Sequence, residues 1–208
     1  MTVDVIEQDY EMFLGEHRHA GPIAASIPTA IEVGLEPLTE WATFATKAVA
    51  DIVDAAGPHP TILVQTDRLV GGQTMSWPGI IASAVPAKPI TWHKIALRRP
   101  VDTIDIHRPT YRHVICLGGR PGRRTPDVWT DGPVLWAHGT GIETARRIAD
   151  YVADYVATHD DAVALNPFCG VGTILAAFQT AGLSAIGCDN NPDRIFDTRW
   201  LLQAEVPA

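Results

Sequence analysis

The chain reads as an α/β fold, a mainly parallel sheet with helices on both faces. Two observations predict it. Short apolar runs of strand length alternate with longer runs of helical periodicity, the pattern of strand–helix–strand units. A glycine-bearing turn also joins one strand directly to one helix, between Leu165 and Thr173. With 208 residues, 46% hydrophobic and 19% charged, the sequence supports one sizeable core, taken as a single domain over 1–208.

The elements follow in order. Val3 to Ile6 is a short β-like run, and a stretch with Tyr10, Met12, Phe13 and Leu14 comes after it. Gly21 to Ala25 is small and apolar, a buried strand ending at Ser26-Ile27-Pro28. Leu38 to Ala56 has helical spacing through Trp41, Phe44, Ala45, Ala48, Val49 and Ile52, and Gly57-Pro58 stops it. Thr61 to Gln65 is a strand, Pro78 to Ala84 a brief helix, and Ile90 to Trp92 and His113 to Leu117 two further strands. Leu97 to Tyr111 is a loop or hairpin, and the Gly/Pro-dense Leu117 to Pro133 a surface connection. Thr140 and Glu143 have capping-box spacing before an apolar stripe of Ile142, Ala145, Ile148, Ala149, Val152 and Val156. Ala162 to Leu165 and Ser184 to Cys188 are the last strands. Thr173 to Thr180 and Pro192 to Gln203 are the last helices.

No apolar run approaches the ~20 residues of a membrane helix, and the acidic N-terminus lacks the features of a signal peptide. Cys116, Cys169 and Cys188 have neither metal spacing nor the number for a disulfide framework. The eight histidines show no metal spacing either, so no metal is expected. A reducing, cytoplasmic setting is expected. The net charge of −8 argues against a whole-surface nucleic-acid binder. Between Trp92 and Arg124, however, eight basic residues face two acids, a local +6 that leaves −14 for the remainder. Such a strip is either a phosphate-binding face or a solvated arginine-rich loop.

The sequence Ala162-Val-Ala-Leu-Asn166-Pro-Phe168-Cys-Gly170-Val-Gly172-Thr173 places two glycines between strand and helix. Glycine there opens backbone angles closed to other residues and lets a ligand approach the helix N-terminus. Asp189 ends the next strand, 17 positions after Gly172. An acid so placed commonly holds ribose hydroxyls. The loop lacks the Gly-Lys-Ser/Thr of a phosphate-binding P-loop and the third glycine of the dinucleotide fingerprint.

The run from Leu165 to Pro192 resembles the cofactor motif of the N4-cytosine and N6-adenine DNA amino-methyltransferases, in which Asp-Pro-Phe-Cys-Gly-Ser-Gly-Thr is followed by Gly-Ile-Asp. Its position near the C-terminus resembles the permuted branch of that family. Ile90-Thr91-Trp92-His93-Lys94 is similar to the family's Ile-Ile-Trp-x-Lys strand. Asp127-Val128-Trp129 is similar to the segment before its His-Pro-Thr box, which here reads His138-Gly139-Thr140. The resemblance covers roughly residues 3 to 200. It implies a circularly permuted class I, Rossmann-like fold and S-adenosylmethionine as cofactor. The cofactor residues it implies are Asp9, His138, Thr140, Asn166, Phe168, Gly170, Gly172 and Asp189. Asn166 departs from the family's Asp and lacks its charge.

The resemblance places the catalytic motif at Ser26-Ile27-Pro28-Thr29, where the family has Asp/Asn/Ser-Pro-Pro-aromatic. Ser26 and Pro28 fit. The first residue and the carbonyl after it would accept hydrogen bonds from the target amine, and the aromatic would stack on a flipped base. Ile27 stands for the first Pro and Thr29 for the aromatic, with Trp41 and Trp77 as alternative stacking residues. Arg98, Arg99, Arg108 and Arg112, in the short basic segment 95–137, are the expected nucleic-acid contacts. That segment is small for reading several base pairs, which implies low selectivity or help from a second subunit. The resemblance implies methylation of an exocyclic DNA amine, with a catalytically inactive binding module as the rival expectation. A methyltransferase for RNA or another small molecule is a third.

Overall fold

The computed structural model describes residues 2–35, 38–70, 73–100, 102–103, 109–119, 125–136, 138–159 and 162–204. The first half of the chain runs β1 (Val3–Glu7), α1 (Tyr10–Glu16), β2 (Ile23–Ser26), α2 (Ala30–Val33), α3 (Leu38–Ala56), β3 (Thr61–Gln65), the hairpin β4 (Arg68–Val70) and β5 (Gln73–Met75), and α4 (Trp77–Ala84). The second half runs β6 (Ile90–Leu97), β7 (Tyr111–Leu117), β8 (Val128–Thr130), α5 (Ile142–Val156), β9 (Ala164–Pro167), α6 (Thr173–Thr180), β10 (Ala185–Asp189) and α7 (Pro192–Gln203).

Eight strands form one sheet in the order β1-β10-β9-β2-β3-β7-β6-β8. All neighbours are parallel except those of β7, which runs against β3 and β6. β9 is central in space but ninth in the chain. Counted cyclically from β9, the sheet reads 3-2-1-4-5-7-6 with β8 appended. Its first five positions match the doubly wound order, with the chain opened at a different point. The fold is therefore a circular permutation, as the sequence implied.

Alternating strand residues feed two cores. Ile23, Ala25, Leu63, Ile115 and Leu165 pack against α1, α3 and α4, with Trp41, Trp77 and Phe13 the large side chains of that layer. Ala24, Ile62, Val64, Val114 and Ala164 pack against α5, α6 and α7 around Phe178 and Ile148. This is the mainly parallel sheet with two helical layers that the patterning predicts.

Several local expectations change. Tyr10–Glu16 is a helix, started by the Asp9 carboxylate accepting from the Glu11 N–H at 2.8 Å. β6 extends to Leu97, because antiparallel pairing with β7 carries it past Trp92. The connection from Leu117 to Pro133 contains β8, which buries Trp129 against α5. The Thr140 capping box does not form: Gly141 is the N-cap of α5 and has no side-chain cap. Asp131, ten residues upstream, substitutes for it. Its carboxylate accepts from the Gly141 N–H at 3.0 Å, and its carbonyl takes the N–H groups of Glu143 and Thr144.

Candidate active site

The cleft lies at the C-terminal ends of β9, β10 and β2, where the strand order reverses direction about β9. In open α/β sheets ligands bind at this switch point. The cleft is lined by Ser26, Pro28, Trp136, His138, Gly170 and Asp189, among others.

The glycine loop is shaped by named contacts. Phe168, Gly170 and Gly172 all have positive φ, at 63°, 57° and 82°. A Cβ on Gly172 would lie 2.5 Å from Thr198 Cγ2, because α7 crosses directly over the start of α6. Thr198 Oγ1 donates to the Gly170 carbonyl at 2.8 Å, and the Cys169 N–H to the Cys188 carbonyl at 2.8 Å. Gly170 faces open space, with no atom within 4 Å of where its Cβ would be. The Asp189 carboxylate is almost buried and accepts from the N–H groups of Gly170 and Asn191, both at 3.0 Å. Each oxygen keeps a lone pair for another donor. Asn166 is buried. Its Nδ2 donates to the Ala24 carbonyl at 2.6 Å, while its Oδ1 has no partner among the described residues.

The second wall is the Ser26–Thr29 turn. The Ile27 N–H donates to the Val64 carbonyl at 3.3 Å, so the turn leaves β2 still paired to β3. The Ile27 carbonyl accepts from Gln65 Nε2, and the Pro28 carbonyl from Trp41 Nε1 at 2.8 Å. Thr29 is buried and caps α2 in a reciprocal box with Glu32. It therefore does not stand where a base would stack. Trp41 and Trp77 are fully buried in the core, which removes both as alternative stacking residues.

The third wall is the His138-Gly139-Thr140 loop. Thr140 is buried, and its Oγ1 has no partner among the described residues. The loop is held by Arg112, which the sequence suggests as a phosphate contact. The structure corrects this. Arg112 is 3% exposed, its Nε lies 3.0 Å from Asp131 Oδ2, and its Nη2 donates to the carbonyls of His138 and Gly139. Burial lowers its pKa to about 10, with Asp131 opposing the shift. The guanidinium fixes the loop instead of meeting solvent.

Arg98 is half-buried, 4.0 Å from the Asp131 carboxylate, and Arg99 is exposed. Lys94 pairs with Asp127 at 2.6 Å. Arg108, Arg120, Arg123 and Arg124 lie outside the described residues. Asp9 is exposed just beyond β1, and its carboxylate is engaged in capping α1. It is not among the residues that line the cleft. Cys169 is buried, which pushes its thiol pKa up and leaves it a poor nucleophile.

Sequence reasoning missed four residues. Trp136 stands two positions before His138 and lines the cleft at 45% exposure. Gln65 is the polar end of the strand after the apolar run Ile62-Leu63-Val64, a visible signal. Arg194 and Glu32 pair at 3.3 Å across the cleft, with Arg194 Nη1 3.6 Å from Asp189 Oδ2. Nothing in the spacing of Glu32 and Arg194 announces the pair. Together, Thr29, Glu32, Arg194, Asp189 and Gly170 form one chain of polar contacts from the Ser26 turn to the glycine loop.

No family model matches the sequence, and no curated protein does. Solved structures do match in fold. TTHA0409 of Thermus thermophilus, described as a candidate DNA modification methylase, superposes with a TM-score of 0.74 at 17% identity, over 99% of this chain and 96% of that one. The fold is that of a class I methyltransferase. The same Thermus protein in complex with S-adenosyl-L-methionine gives a TM-score of 0.73 at 18% identity, over 99% and 95% of the two chains. The cytosine-N4-specific PvuII DNA methyltransferase gives 0.77 at 8% identity, over 100% of this chain and 89% of that one.

Proposed function

We propose that the chain is a methyltransferase that uses S-adenosylmethionine to methylate an exocyclic amine of a DNA base, N4 of cytosine or N6 of adenine. One observation carries the reading: the glycine loop with Asp189 and the Ser26–Pro28 turn line one cleft at the switch point of a permuted class I sheet. The cofactor and DNA assignments also draw on the Thermus protein's S-adenosyl-L-methionine complex and on the DNA substrate named for PvuII.

The residues present fit the cofactor. Asp189 has lone pairs left for ribose hydroxyls, Gly170 borders open space, and Asn166 Oδ1 is a buried acceptor in want of a donor. Asp189, Phe168, Gly170, His138 and Thr140 line the cleft and would hold it, with Gly172 and Asn166 shaping the loop behind them. When bound, the cofactor supplies an electrophilic methyl group. Ser26 Oγ makes no hydrogen bond among the described residues and is the acceptor for one amine hydrogen. The Ile27 carbonyl accepts another on the lone pair that Gln65 leaves. Two such bonds turn the nitrogen lone pair toward the cofactor side, and orientation does most of the work.

Segment 95–137 is the proposed nucleic-acid side, with Arg98 and Arg99 contacting phosphates next to the His138 loop. We also infer one domain over 1–208 and a cytoplasmic setting, in keeping with three buried free cysteines. A second subunit would enlarge the small recognition surface.

A specific observation favours a second reading, a cofactor-binding module without transfer. The Ile27 carbonyl is already bonded to Gln65, and Thr29 is spent on a helix cap. Incubation with tritiated-methyl cofactor and mixed genomic DNA separates the two. Label in DNA is expected. Cofactor binding without label would leave the module.

A further inference from the structure

We infer that Trp136 is the stacking residue of the acceptor slot, the role the Ser26–Thr29 turn cannot fill from its fourth position. This rests on the nucleobase reading above and adds the residue that grips the base.

The acceptor slot is short of aromatic surface. Thr29 has no ring and is buried as the cap of α2. Trp41 and Trp77 are fully buried, and Trp41 spends its indole N–H on the Pro28 carbonyl. Phe168 lines the cleft but belongs to the glycine loop, with its ring 4.6 Å from Tyr10 and 6.2 Å from Phe44. Trp136 differs from all of them. It lines the same cleft as Ser26 and Pro28, it is 45% exposed, and its ring meets His138 in an edge approach at 6.3 Å. Whichever ring gives its edge, at least one face of the indole is clear of His138.

The loop that carries Trp136 is anchored. The Gly139 N–H donates to the Trp136 carbonyl at 2.8 Å, and Arg112 holds the next carbonyls through the buried Asp131 pair. A half-exposed tryptophan on a braced loop, in one cleft with the Ser26 hydroxyl, is a stacking platform for a planar, hydrogen-bonding ring. The side chain reaches the slot from the His138 loop instead of from the Ser26 turn. That route explains how Thr29 can be a helix cap without emptying the slot of aromatic surface.

Base–aromatic stacking lost to alanine costs about 5- to 150-fold in affinity. The test uses the full-length chain, Trp136→Ala and Trp136→Phe. Each is titrated by calorimetry with S-adenosylmethionine, then with a pool of single-stranded oligonucleotides bearing 5-iodocytosine in random flanks. Ultraviolet cross-linking and peptide mass spectrometry identify the residue touched. The expected result is a cross-link on the peptide holding Trp136, a loss of oligonucleotide affinity of about 5-fold or more in Trp136→Ala, partial retention in Trp136→Phe, and cofactor affinity within about 2-fold in both. Cross-links elsewhere, or equal affinity in all three proteins with the cofactor still bound, overturn the role of Trp136 alone. A fall in oligomer mass in Trp136→Ala without a change in oligonucleotide affinity overturns it in favour of a face covered by a second copy. Failure of the wild-type chain to bind the cofactor at all removes the enzymatic reading, and the inference with it.

Discussion

Replacing Arg112 by Ala distinguishes a buried brace from a phosphate contact. In the structure both partners of the pair are withdrawn from solvent, with side-chain exposures of 4% for Arg112 and 0% for Asp131. Removing one partner of such a pair leaves an uncompensated buried charge, which costs about 3–5 kcal/mol. Arg98, at 4.0 Å from Asp131, offsets part of that, so the lower end is expected, about 3 kcal/mol. For a chain of this length each kcal/mol lowers Tm by about 2–4 °C, so Tm should fall by about 6–12 °C. Thermal unfolding followed by circular dichroism measures it. Arg112→Met, which keeps much of the packing volume, should fall almost as far, because the charge on Asp131 remains. An Arg112→Ala protein with Tm within about 2 °C of wild type, but with weaker DNA binding and a salt slope shallower by about one, would refute the brace.

Gly172→Ala should lower Tm and weaken cofactor binding together, since its Cβ would fall 2.5 Å from Thr198 Cγ2 at a φ of 82°. Calorimetry on the folded variant checks this, and wild-type affinity would count against the loop geometry. Gln65→Leu leaves the buried Ile27 carbonyl without its donor and should cost about 1–3 kcal/mol in urea unfolding; a change under about 0.5 kcal/mol would show that the bond does not hold the turn. Stability should also fall as pH is lowered. Partial desolvation of a ring that is still exposed at one side, then the neighbouring His113, holds the His93 pKa below its ordinary 6.5. Burial raises Asp67, but hydrogen bonds from Tyr111, the Trp77 N–H and His113 outweigh it and hold the carboxyl below 3.8. Both groups stay unprotonated longer in the fold, so the unfolded chain takes up more protons. Stability is lost first as pH falls below about 6.5 through His93, then below about 3.8 through Asp67. Urea midpoints at pH 7.5 and 5.5 should differ less in His93→Asn; an unchanged difference would refute the assignment.

The sheet was legible because its strands carry continuous apolar runs and its helices a clear stripe, and the permutation was legible only through the family resemblance that the late glycine loop carries. Periodicity did not reveal β8, whose three residues sit in a Gly/Pro-rich stretch and are stabilised by Trp129 packing on α5. Arg112 illustrates a second limit. Its charge suggested a surface, but β7 is an inner strand, and its partner Asp131 arrives from a distant loop. Thr140 and Glu143 have capping spacing, yet that same Asp131 takes over the cap. In the site, residues with local geometric roles (Gly170, Gly172, Asp189) were readable. Glu32, Arg194 and Trp136 reach the cleft, and Gln65 braces its Ser26 turn, only through the packing of elements far apart in sequence.

The most direct measurement is calorimetric titration of the full-length chain with S-adenosylmethionine, alongside Asp189→Ala. The expected result is one binding event in the wild-type protein and its loss, or a weakening of tenfold or more, in Asp189→Ala, roughly 1.4 kcal/mol. Absence of binding in the wild type, or equal affinity in the two proteins with both folded, would contradict it.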